Sequence, residues 1–261
     1  MSDKKKYTEI WKDGQIESLY KRFLAIVGPF EIPLIETVIK KISEIFVDRK
    51  ELSMFEIGAG SGKHTLAILG GVSEKHHIKY TGIDVSSAQQ KQFEKTATLF
   101  PKNIEFKKYT LSSWQEYLVT QKYDIVLAQH SWYGIGRDIK NFKKIEESLS
   151  NDGVCFILIN SKINMSQIAM QNNGESPFNS EDLDTSLTAC GLSFERIRSY
   201  NDTYSRESFY ENGRLTDRGL DYFSYLYRRD LRGDEQDVID TINNAPDEAF
   251  RFPTDLIIIR K

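Results

Sequence analysis

The sequence contains little that would staple, anchor or metallate it. It has two cysteines, Cys155 and Cys190, in 261 residues. Both sit in apolar stretches and read as reduced, buried thiols of a cytoplasmic protein. Histidine is as scarce, with four, and His64, His76, His77 and His130 show no ligand spacing, so no metal is expected. No apolar run reaches the roughly 18 residues a membrane helix needs. The charged opening residues lead into no apolar segment of a secretory signal. An excess of basic charge is missing too: 35 Lys+Arg stand against 38 Asp+Glu, a net charge of -3. That argues against a bulk nucleic-acid binder. The chain also has no G-x-x-x-x-G-K-[ST] loop for cradling phosphates.

What is present can build a core, since 39% of residues are hydrophobic and 28% charged. Residues 1–50 read as helical, with Ile16, Leu19, Tyr20, Phe23 and Leu24 at helical spacing, then Ile35, Val38, Ile39, Ile42, Ile45 and Phe46. The period then changes. Short apolar runs at 53–58, 80–85, 104–109, 123–129, 154–160, 192–199 and 255–260 read as seven strands. Helical stretches at 63–69, 87–100, 140–149 and 180–191 lie between them. Alternation of this kind predicts an α/β fold, a doubly wound, mostly parallel sheet with helices on both faces.

Aromatics make up 12% of the chain and are unevenly placed. Residues 201–252 interrupt the alternation and hold nine of them, among them Tyr204 and Phe209. A connection this long is functional or has its own structure. The expected organisation is an N-terminal helical cap (1–50), a core (51–200), an inserted substrate cap (201–252) and a last core strand (253–261).

Glu56-Ile-Gly58-Ala59-Gly60-Ser-Gly62 falls at the first strand-to-helix turn. Glycines there permit a tight turn and close approach of a ligand to the backbone, with a helix N-terminus behind it. Asp84 ends the second strand, where a carboxylate can accept from both hydroxyls of a ribose. The spacing is G-x-G-x-G, not the G-x-G-x-x-G of dinucleotide sites. This pattern resembles the class I methyltransferases that use S-adenosylmethionine and release S-adenosylhomocysteine. The resemblance implies a Rossmann-like seven-stranded core. It implies that Glu56 steadies the turn, that Gly58, Gly60 and Gly62 approach the methionine part, and that Asp84 holds the ribose. Ala59, Val85, Thr110, Leu111, Ser112 and Gln129 complete the expected cofactor set. Family members often place an Asp after strand three; here the segment reads Tyr109-Thr-Leu-Ser-Ser113, so a hydroxyl or a backbone carbonyl takes that place.

The fourth strand runs into Gln129-His130-Ser-Trp132-Tyr133. Ligands of doubly wound sheets sit beyond the carboxyl ends of the strands, so these side chains belong at the reacting centre. There is no [DN]-P-P-[YF] signature of nucleobase or glutamine amide methylation. His130 reads as a proton acceptor or a structural hydrogen-bonder, Gln129 as an orienter, and Trp132 and Tyr133 as aromatic walls or core. Together with the Leu19–Leu24 segment and the late insertion, this segment resembles histamine N-methyltransferase and its relatives. That resemblance implies Glu31 and Gln129 as acceptor contacts, with Tyr20, Phe23, Trp132, Tyr133, Tyr204 and Phe209 around the substrate. The expected function is methyl transfer to nitrogen of a small-molecule amine, with Gln129, His130, Tyr133 and Glu31 as the catalytic set. Methylation of a phenol or carboxylate oxygen, with His130 as base, is the alternative; so is a non-catalytic cofactor-binding scaffold.

Overall fold

A computed structural model of the chain describes residues 17–27, 32–200, 203–229 and 231–261. Two helices come first, α1 (Glu17–Val27) and α2 (Ile32–Ile45). Alternation then sets in with β1 (Glu51–Ile57), α3 (Lys63–Val72), β2 (His77–Asp84), α4 (Ser87–Ala97) and β3 (Ile104–Leu111). It continues with β4 (Tyr123–Gln129), α5 (Ile139–Ser148) and β5 (Leu149–Asn160). Next come α6 (Met165–Asn172), α7 (Ser180–Ala189) and β6 (Phe194–Ser199). The late insertion holds a hairpin, β7 (Tyr210–Glu211) and β8 (Arg214–Leu215), and two helices, α8 (Asp217–Tyr227) and α9 (Gln236–Asn244). The last strand is β9 (Thr254–Arg260).

The seven-stranded sheet runs β3-β2-β1-β4-β5-β9-β6. Pairing is parallel from β3 to β5, while β9 lies antiparallel to both neighbours, with Ile257 opposite Ile157 and Arg196. The expected α/β, mostly parallel sheet is therefore the observed one. The central strands are continuous apolar runs because helices cover both faces. Their side chains divide by the two-residue period. Leu52, Met54, Leu127, Phe156 and Ile258 join one core with α2 and α3; Phe55, Ile57, Val126, Ile157 and Ile259 join another with α5 and α7. Glu56 and Gln129 follow Met54 and Leu127 in that period, so both fall on the α3 side of the sheet. The edge strands β3 and β6 carry Glu105, Lys107, Lys108, Arg196 and Arg198, charges that discourage pairing with another chain.

A third core forms outside the sheet. Phe209, Tyr222, Phe223, Phe250 and Phe252 pack there with Ile26 of α1 and with Met165 and Ala169 of α6. The rings of Phe23 and Tyr225 lie 4.3 Å apart, and Arg22 donates to Asp221 Oδ1 at 2.9 Å. The inserted cap thus shares its interior with α1 and with α6, a helix that sequence periodicity did not mark. Its boundary at residue 201 is one of sequence, not of packing. Among the described residues no helix is long and apolar enough to cross a membrane, and no three His, Cys, Asp or Glu side chains converge as metal ligands do.

Candidate functional site

The glycine turn leaves β1 and is stitched to the end of β2, where Gly58 N and Ala59 N both donate to Ile83 O, at 2.8 and 2.9 Å. Gly58 has φ 70°, a left-handed conformation open to glycine at little cost. A Cβ there would lie 2.3 Å from Cβ of Ser131, so the segment after β4 could not cross the turn. Gly62 does a different job. It precedes α3 with φ 76°, and a Cβ would meet the Phe93 ring at 2.8 Å. Its bareness lets α3 and α4 approach; it does not face the cleft.

Asp84 closes the other side of the turn. Its Oδ2 accepts from Gly60 N at 2.9 Å and its Oδ1 from Ser86 N at 2.8 Å. Each oxygen keeps lone-pair capacity for a further donor. Burial lifts the Asp84 carboxyl above its ordinary range, and the amides of Ser86, Gly60 and Val85 pull it back.

Between the ends of β1, β2 and β4 lies a cleft of about 780 Å³, counted to its open mouth. Gly58, Gly60, Asp84, Val85, Ser112, Gln129, His130 and Tyr20 line it, so eight of the expected site residues meet there. Among the described lining residues Asp84 is the sole carboxylate, and there is no lysine or arginine. That charge balance suits a cationic ligand and is poorly made for phosphates.

Glu56 sits directly behind this wall, 1% exposed. Its carboxylate accepts from Thr65 Oγ1 at 2.7 Å, Tyr80 Oη at 2.6 Å and Gln129 Nε2 at 2.7 Å. Burial raises its pKa to about 7 against the pull of those three donors, and the nearby charge of Asp84 adds to the rise. The bond from Gln129 also decides which way that amide faces. When charged, the carboxylate only accepts, so the NH₂ points at Glu56 and Oε1 points away. Oε1 is buried without a hydrogen-bond partner among the described residues, and Gln129 lines the cleft.

His130 follows with φ 49°, a left-handed conformation that costs a side-chain-bearing residue roughly 1–2 kcal/mol. Its backbone N–H is fixed to Leu158 O at 2.9 Å. Its Nδ1 lies 2.8 Å from Tyr133 Oη, which also accepts from Asn160 N at 2.9 Å.

Several expectations need correction. Trp132 is 0% exposed and packs on Phe142 with ring centroids 5.3 Å apart; it is core beneath the cleft and not a wall of it. Phe209 is likewise fully buried, at the centre of the cap core against Tyr222 and Phe252. Phe23 stacks on Tyr222 and Tyr225 in the joint between α1 and α8. Tyr204 lines a separate surface groove with Arg206 and Arg251. Tyr133 stands behind His130. Ala59 is packed into the core, Thr110 keeps its hydroxyl buried, and Leu111 is 49% exposed on the surface side of β3. Glu31 lies outside the described residues. Ser113, one of the hydroxyls offered after strand three, lines the cleft too, and sequence reasoning missed Gln89, Trp114 and Gln115, which also line it. Gln115 Nε2 ties the β3 loop to the β4 loop through Gly134 O and Ile135 O, both at 3.2 Å; contiguity with Ser112 was the one available signal.

No family model matches the chain, and no curated protein matches it. Solved structures do. The plantazolicin methyltransferase BpumL in complex with SAH is 14% identical, covers 97% of this chain and 93% of its own, and superposes with a TM-score of 0.58. The cyclopropane synthase MmaA2 from Mycobacterium tuberculosis is 12% identical, covers 88% and 84%, with a TM-score of 0.55. The [4+2]-cyclase SpnF is 15% identical, covers 88% and 80%, with a TM-score of 0.54. The chain has the Rossmann-like fold of these structures. One of the three is a cyclase, so chemistry has to be argued from the site and not from the fold.

Proposed function

We propose that the chain is an S-adenosylmethionine-dependent methyltransferase acting on nitrogen of a small-molecule amine. The residues present fit the cofactor. Gly60 leaves room beside the backbone, with Gln89 Oε1 the nearest side-chain atom at 3.9 Å from an added Cβ, Asp84 keeps lone pairs for two neighbouring hydroxyls, and no basic residue among the described lining would repel a sulfonium. When bound, S-adenosylmethionine would supply an electrophilic methyl group on a positively charged sulfur.

The protein's own contribution is position and charge. Asp84, with Val85 and Ser112 beside it, would hold the nucleoside part. Gln129 Oε1 is the observation that carries the reading. It is a buried acceptor, turned away from the carboxylate behind it, and it calls for a hydrogen-bond donor. The amino group of an acceptor or of the cofactor's methionine part supplies one, and a singly methylated amine still carries an N–H where a methylated phenol has lost its O–H. Tyr20 adds an aromatic face beside a cationic amine.

Calorimetry with S-adenosylmethionine and S-adenosylhomocysteine tests the cofactor. Asp84→Ala should weaken binding roughly 10–150-fold, the loss of charge-assisted hydrogen bonds worth about 1.5–3 kcal/mol. Unchanged affinity would remove Asp84 from the site. A panel of amines and phenols incubated with methyl-labelled cofactor tests the acceptor class, and product methylated on oxygen alone would sink the N-methylation reading.

A further inference from the structure

We propose that Glu56 and Gln129 form a proton-driven switch: with Glu56 charged, Gln129 turns its NH₂ to the carboxylate, and with Glu56 protonated the amide inverts and turns its carbonyl there instead. The argument starts from how donors divide between the two carboxylate oxygens. Thr65 Oγ1 at 2.7 Å and Tyr80 Oη at 2.6 Å both donate to Oε2. Oε1 receives Gln129 Nε2 at 2.7 Å. A proton added to Oε2 would face two hydroxyls that already give that oxygen their hydrogens. A proton added to Oε1 faces one amide, which has an acceptor to offer in place of its donor. The added proton therefore belongs on Oε1.

On Oε1 that proton meets the NH₂ of Gln129, donor against donor. A half-turn of the amide relieves it, because the last torsion of a glutamine side chain is broad and roughly two-fold. The turn breaks no other hydrogen bond of the amide oxygen, since Gln129 Oε1 is buried without a partner among the described residues. Both forms lie within reach of ordinary pH: burial raises the Glu56 carboxyl to about 7, and the charge of Asp84 adds to the rise. Tyr80 and Asp84 of β2 act on Glu56, and its charge in turn reaches Tyr109 of β3. Burial holds Tyr80 and Tyr109 above their ordinary range, so both stay neutral phenols. His64 precedes Thr65 on α3, and His130 follows Gln129 at the cleft. Glu56→Gln leaves Asp84 and both histidines in place, so it isolates the titration of Glu56.

Gln129 is the last residue of β4 and lines the cleft. Inversion changes its side away from Glu56 from a hydrogen-bond acceptor to a donor. A ligand group that reaches this side above the titration has to donate, and one that reaches it below has to accept. The switch belongs to the unliganded pair and does not depend on the methyltransferase reading.

The test is therefore made on the full chain without ligand. Neutron diffraction from deuterated crystals separates ND₂ from oxygen and locates a carboxyl deuteron. At about pH 9 the ND₂ of Gln129 should face Glu56; at about pH 5 its oxygen should face it, with a deuteron on Glu56 Oε1. Glu56→Gln supplies the protonated form permanently, its new NH₂ standing where Oε1–H would be while its oxygen keeps the two hydroxyls. In solution, the Gln129 side-chain amide signals of the unmodified protein should move between about pH 9 and about pH 5 toward those of Glu56→Gln, which should themselves stay in place. One amide orientation at both pH values, a deuteron on Glu56 Oε2, or Glu56→Gln signals that lie with the unmodified protein at high pH overturns the proposal. If Glu56→Gln does not fold, the two neutron structures decide by themselves. Cofactor calorimetry is a separate measurement, so failure here and failure of the methyltransferase reading are told apart.

Discussion

Gln129 donates from Nε2 to Glu56 Oε1 at 2.7 Å across the junction of β4 with β1, and that single bond couples a buried carboxylate to the wall of the cleft. The carboxylate has three neutral donors around it. Neutral donors stabilise an anion less than burial penalises it, and the raised pKa of about 7 expresses the balance.

Stability should therefore fall with rising pH on account of this one group. Unfolded, the carboxyl titrates at its ordinary 4.5; folded, it keeps its proton up to about 7. Between those values the folded state binds more protons than the unfolded one, so the contribution is fully favourable below 4.5 and is lost as pH rises through 7. The whole loss is on the order of 3 kcal/mol. Urea unfolding at about pH 5 and about pH 8 checks it. Glu56→Gln should remove most of that difference, and an equal drop in both proteins would show that other groups cause it.

Cofactor binding should follow the same titration. A cation entering the cleft lies near both Asp84 and Glu56 and favours their charged forms. Affinity for S-adenosylmethionine should rise from about pH 6 to about pH 8, roughly three- to tenfold. S-adenosylhomocysteine lacks the sulfonium charge and should show a smaller rise. Glu56→Gln should flatten the profile for both. Parallel profiles for the two ligands in the unmodified protein would mean that the sulfonium charge is not felt at Glu56.

The glycine turn gives a sharper steric test. Gly58→Ala combines a left-handed backbone with a Cβ placed 2.3 Å from Ser131 Cβ. The backbone cost is about 1–2 kcal/mol and the overlap about 1–3 kcal/mol more. Thermal unfolding should shift down accordingly. Cofactor affinity should fall as well, because relief of the overlap moves the segment that carries Gln129 and His130. Gly62→Ala should destabilise through Phe93 with a smaller effect on affinity, since Gly62 does not line the cleft. Equal losses of affinity in both variants would contradict that division of labour.

The sheet was legible because buried parallel strands leave continuous apolar runs, as at 123–129 and 154–160, and because turns need glycine. Asp84 and Gly58 were legible for a related reason: a strand end and a left-handed turn each narrow the residue types allowed. The region after β4 was harder. Trp132, Tyr133 and Gly134 form one short 3-10 turn, and three residues have no period from which to tell the inward side chain from the others. Trp132 went inward and Tyr133 turned to His130. Trp114 and Gln115 reach the cleft through an irregular loop, whose path is set by tertiary contacts such as those of Gln115 with Gly134 and Ile135. The aromatic excess of the insertion was visible; that it builds a private core with α1 and α6 was not, because nothing local distinguishes a ring facing a ligand from a ring facing another ring.

Phe209 decides between those two uses of an aromatic residue. It is fully buried among Tyr204, Tyr222, Phe223, Phe250 and Phe252, and its carbonyl oxygen would lie 2.1 Å from a Cβ added at Gly219. Such tight packing leaves no space for an acceptor and makes truncation expensive. Phe209→Ala should cost about 3–5 kcal/mol, the range for a buried aromatic whose cavity cannot collapse. The loss should be concentrated in the cap, so amides of α8 and α9 should exchange hydrogen faster while those of β1, β4 and β5 keep their protection. Affinity for S-adenosylhomocysteine should stay within about twofold, because the cleft is built from the ends of β1, β2 and β4, with Tyr20 alone among the described residues of α1 reaching it. A variant that kept its stability and exchange pattern would return Phe209 to the ligand-facing role that its position in the insertion first suggested.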